Sequence, residues 1–193
     1  MIIYTQKDDI EQQQVNIFLA EKDISVKSIS IDRRQHERLV HPILSQNQQP
    51  ILKLEDGTII LGAIAICRYF EQSLTINKPL FGQTATEQAR VEMWLRIIES
   101  QGLTELKELT AIKMLPAIRL QAIRRQFIVL FGILEKHLVG RAYMIGNHLS
   151  IVDITAYTVI IYAEQLSIEM TYDFPYLLAL KTRLCLNASF SKI

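Results

Sequence analysis

Cysteine, tryptophan and proline are scarce in this chain: two, one and five among 193 residues. Cys67 and Cys185 stand alone, each inside an apolar helical pattern, so both read as small buried hydrophobes and no structural disulfide is expected. An excess of one charge is missing too. Twenty-one basic residues against twenty acidic ones leave a formal charge of +1, and no overall field draws in nucleic acid or an anionic membrane. No apolar run approaches the roughly 20 residues that a membrane helix needs. The opening, Met1 to Asp9, lacks the basic, apolar and small-residue sections of a secretory signal. The expectations are a cytoplasmic location, no membrane association and no nucleic-acid partner. His41, His137 and His148 are scattered, without an i, i+4 pair or nearby cysteines, so no metal is expected.

What is present is apolar bulk: 49% of the residues are hydrophobic, enough for a substantial core in one large or two small domains. Residues 1–73 mix short strands with helices, whereas residues 84–186 show helical periodicity and almost no strand signal, which sets domains at 1–76 and 84–193. Two domains are therefore predicted, with 77–83 as linker, where Pro79 interrupts helix and Leu80 and Phe81 can plug back onto the body. In the first domain the pattern predicts a strand at 2–5, a helix at 10–22, a strand at 25–30 and a helix around 34–44. A hairpin and a last helix follow. The second domain is predicted to hold helices at 84–110, 116–138, 150–165 and 174–186. Thr84 or Thr86 can cap the first, and Pro175 suits the first turn of the last. Ser150 and Asp153 have capping-box spacing and are assigned a structural role at the start of a buried helix. Trp94 reads as core or subunit interface. Arg119, Arg124 and Arg125 with Lys113 read as a solvated basic face.

The most specific segment runs from Gln49 to Glu71. Pro50 has no N–H for a sheet ladder and belongs at a strand's first residue or at an edge; Ile51, Leu52 and Leu54 supply the strand. Asp56-Gly57 between two apolar runs is a strong hairpin signal, and Thr58 to Leu61 form the returning strand. Gly62 to Glu71 then read as a buried helix whose N-terminus is a ready anion site. Tight turns join antiparallel strands and crossovers of about a dozen residues join parallel ones, so the sheet should be mixed, with its last two strands antiparallel.

These residues resemble the glutathione-binding core of the glutathione S-transferase superfamily. Pro50 to Leu54, Asp56 to Ile60 and Ala65 to Glu71 carry the likeness, with Met1 to Thr5, Val15 to Ile24 and Tyr143 to Ile154 in the same order and spacing. The resemblance implies an α/β thioredoxin-like domain with a mixed four-stranded sheet, then an all-helical domain. It also implies a cis peptide at Pro50, a homodimer, glutathione as a substrate and a small electrophile as its acceptor.

In that family the glutathione thiol is ionised by a hydrogen-bond donor and attacks the electrophile. Where serine- or cysteine-type members place the donor, this chain has Asp9, whose charge disfavours a thiolate beside it; an alternative reading makes Asp9 the N-cap of the next helix. Tyr4 resembles the hydroxyl of tyrosine-type members and is the favoured catalytic candidate, against a role as a packed strand aromatic; Thr5 is a weaker one. The acidic or amide residue and the serine that grip the γ-glutamyl end correspond to Gly62 and Ala63, which leaves only their backbone N–H groups. Gln49, before Pro50, can dock the tripeptide through its main chain, and Asn47 stands where glycine is usual. Arg33, Arg34, His36 and Arg38 lie near the usual contact with the glycine carboxylate, or form a solvated helix face.

Two functions stay open on these residues. One is a transferase that binds glutathione weakly. The other is a non-enzymatic regulator similar to the stringent starvation protein A group, with a protein partner such as RNA polymerase. A thiol-disulfide reductase on this scaffold is disfavoured, because no cysteine lies near residues 6–13.

Overall fold

The computed structural model describes residues 1–6, 9–31, 50–73, 79–111, 116–168, 170 and 173–191. They divide into two compact units, Met1–Lys78 and Pro79–Ser191. The first unit holds β1 (Ile2–Thr5), α1 (Ile10–Glu21), β2 (Lys27–Ser30), β3 (Ile51–Lys53), β4 (Ile59–Leu61) and α2 (Ala63–Ser73). The second holds α3 (Ala85–Ile98), a π-helical segment (Glu99–Leu103), α4 (Thr104–Ala111), α5 (Ala117–Leu138), α6 (Ile151–Gln165) and α7 (Pro175–Cys185). The predicted helix at 34–44 lies outside the described residues.

The sheet order is β2-β1-β3-β4, with β1 and β2 parallel and the other two pairings antiparallel, which is the mixed four-stranded sheet expected from the sequence. Leu54 and Thr58 close the hairpin by Leu54 N–H to the Thr58 carbonyl, and Asp56 Oδ1 takes the Thr58 N–H at 2.8 Å. The pleat sends Ile3 and Leu52, register partners, to one face, and Tyr4 and Ile51, the next partners, to the other. Ile3, Leu52, Phe18, Ile66 and Phe70 are fully buried, and α1 packs on α2. At the far end of that pair Lys22 meets Glu71 at 2.7 Å, both largely buried, a geometry in which losing either partner would strand the other's charge.

In the second unit the predicted helix at 84–110 is broken. Residues 99–103 take a π-helical turn, so one continuous helix is corrected to α3, π segment and α4. The reason is packing at Gly102: a Cβ there would lie 3.0 Å from both Leu130 Cδ2 and Val159 Cγ1, so the chain bulges to let its backbone approach α5 and α6. Thr84 is the cap that forms, its Oγ1 accepting the Glu87 N–H while the Glu87 carboxylate returns to the Thr84 N–H. Trp94 is buried within this unit against the ring of His137, centroids 4.3 Å apart. Arg119, its side chain 38% exposed, also bonds Glu105 and Glu108 of α4. α6 is buried on nearly every side, which its near-continuous apolar sequence requires. Among the described residues no helix is long and apolar enough to cross a membrane, and no group of three metal-ligating side chains occurs.

Candidate functional site

Three strands bring the candidate residues of the first unit into one row. Tyr4 pairs with Ile51 and Ile51 pairs with Leu61, so Pro50 and Gly62 flank the row at the same end of the sheet. The Gly62 N–H donates to the Pro50 carbonyl at 2.9 Å, and the Gly62 carbonyl accepts the Ile66 N–H, which makes Gly62 the N-cap of α2. Its φ is +85°, and a Cβ built there would meet nothing within 4 Å. The constraint is therefore torsional: an L side chain in this region costs roughly 1–2 kcal/mol. Gly62 therefore brings no side chain to this end, as its identity dictates, and its N–H is spent on Pro50.

The donors left at this end begin with Ala63. No residue from Gly62 to Ala65 has a polar side chain, so no local side chain serves the first N–H groups of α2, whose dipole favours an anion. Ala63 itself is only 1% exposed.

The Tyr4 ring belongs to a small apolar cluster with Ile29, Ile31, Ile51 and Leu61. Thr5 points to the opposite face, is largely buried, and gives its carbonyl to the Ile31 N–H. Asp9 Oδ1 accepts the N–H of Glu11 at 2.8 Å and of Gln12 at 3.0 Å, capping α1. A resident carboxylate thus occupies the one place on α1 where a thiolate would otherwise be welcomed, and like charge opposes ionisation beside it. Cys67 is no substitute nucleophile, being fully buried with its thiol pushed well up by burial and by Glu71. Gln49, Asn47, Arg33, Arg34, His36, Arg38 and His41 lie outside the described residues.

The second unit carries a separate polar knot. Asp153 Oδ2 accepts both the N–H and the hydroxyl of Ser150, at 2.9 and 2.6 Å, and Oδ1 accepts the Met144 N–H at 2.8 Å. The carboxyl is fully buried, and burial outweighs these donors, pushing its pKa up to about 6. The Met144 contact extends the capping box to the loop before α6, a tie that the spacing of Ser150 and Asp153 does not reveal. Cys185 departs from expectation: it is exposed, with its Sγ 3.5 Å from the Tyr157 hydroxyl.

The family models for the glutathione S-transferase N-terminal and C-terminal domains match residues 11–74 and 113–186. A rat glutathione S-transferase alpha-4 is 31% identical over 163 residues, covering 79% of this chain and 68% of the rat protein. For a second rat transferase, A6, the match spans 63% of its length. Among solved structures, a Gtt2-class glutathione S-transferase of Vibrio parahaemolyticus superposes with a TM-score of 0.86 at 26% identity, covering 98% of this chain and 95% of that one. A glutathione S-transferase from Methylobacillus flagellatus, solved with glutathione bound, has a TM-score of 0.82 at 17% identity over 99% of this chain and 97% of its own, a likeness that speaks for fold alone. The two domain models in order, the rat relative and the shared architecture place this chain in the glutathione S-transferase superfamily.

Proposed function

We propose that this protein is a weak glutathione transferase: it takes glutathione along main-chain groups beside Pro50 and the N-terminus of α2, and adds its thiolate to a small electrophile. The observation that carries the reading is the end of α2, where N–H groups from Ala63 onward face no local polar side chain while Gly62 is locked to Pro50. A carboxylate of the tripeptide gains from those donors and from the helix dipole. Each missing side-chain hydrogen bond to that carboxylate weakens binding by about 1.5–3 kcal/mol. Gln49, the residue before Pro50, is the proposed main-chain partner of the tripeptide.

Tyr4 is the proposed thiol donor. Support for this choice is that Tyr4 stands on β1 in register with Ile51, the residue after Pro50. The test is turnover of a general aromatic electrophile with glutathione by wild type and Tyr4→Phe. A rate lowered by about 100-fold or more marks a donor acting on the nucleophile; an unchanged rate removes Tyr4 from the mechanism and leaves it as a packing residue.

A second reading has its own support. Asp9 places a negative charge at the start of α1 and is committed to capping it, an arrangement suited to a protein that has given up thiolate chemistry. In this reading the chain is a non-enzymatic, cytoplasmic regulator similar to the stringent starvation protein A group, and its ligand is a protein such as RNA polymerase. Under either reading we take it to act as a homodimer, which sedimentation would check.

A further inference from the structure

We draw no further inference here: the strongest candidate, the side-chain cluster at the end of α5 where His137 lies against Trp94 with Arg90 and Arg141 beside it, carries no acid-operated switch, because its Nε2–H donates to the Met144 carbonyl whether or not Nδ1 is protonated.

Discussion

Replacing Asp153 by asparagine should destabilise the protein more at pH 5 than at pH 8. The buried carboxyl is raised from an ordinary 3.8 to about 6, with burial the dominant cause. A carboxyl with a raised folded pKa holds its proton more tightly in the native state, so its contribution is greatest below 3.8 and disappears as pH rises through about 6. At 1.36 kcal/mol per unit the full span is about 3 kcal/mol, and about 1.4 kcal/mol of it separates pH 5 from pH 8. The proton has a place to sit, because Oδ2 lies 2.6 Å from the Ser150 hydroxyl, which can turn from donor to acceptor. Asparagine keeps one carbonyl but sets an NH2 against the N–H of Met144 or of Ser150, stranding a buried donor at a cost of about 1–3 kcal/mol. The assay is urea unfolding of both proteins at the two pH values, compared at constant m. The stability gap between wild type and variant should be wider at pH 5. A gap that widens toward pH 8 would mean that the three donors win over burial, that the carboxyl is held below its ordinary value, and that the reasoning here is wrong.

Two further substitutions probe the scaffold and the dock. Gly102→Ala puts a methyl 3.0 Å from Leu130 and Val159, both in packed helices, and should cost about 1–3 kcal/mol in denaturant unfolding; a neutral result would mean that the π-helical turn is not imposed by this contact. Gly62→Gln returns an amide to the end of α2, where a side chain has room but the torsion is strained. It should lower stability by roughly 1–2 kcal/mol while tightening glutathione by about tenfold or more in calorimetry, and unaltered affinity would show that the ligand's carboxylate does not lie there.

Much of the first unit was legible because its signals are local and covalent. Pro50 has no N–H and Asp56-Gly57 can turn; in the second unit Ser150 and Asp153 likewise sit at capping distance along the chain, so each statement needed no knowledge of distant residues. What escaped the sequence was set by tertiary neighbours. Gly102 looks like a tolerable helical glycine until Leu130 and Val159 are placed beside it. Arg119 shows no partner until Glu105 and Glu108 of α4 are placed beside it. Cys185 follows an apolar rhythm yet lies on the outer side of α7. At the proposed dock, the lack of polar side chains was readable from Gly62 and Ala63, whereas the capture of the Gly62 N–H by Pro50 depends on how β3 and β4 pair and has no signature in composition or spacing.

The central claim is that the main chain around Pro50 and α2 still accepts glutathione although its side-chain anchors are gone. Calorimetric titration of the intact chain with glutathione tests it most directly: a saturable isotherm with a Kd near the millimolar range, about −4 kcal/mol, is the predicted result. A micromolar Kd, or no heat of binding at concentrations well above millimolar, would contradict it.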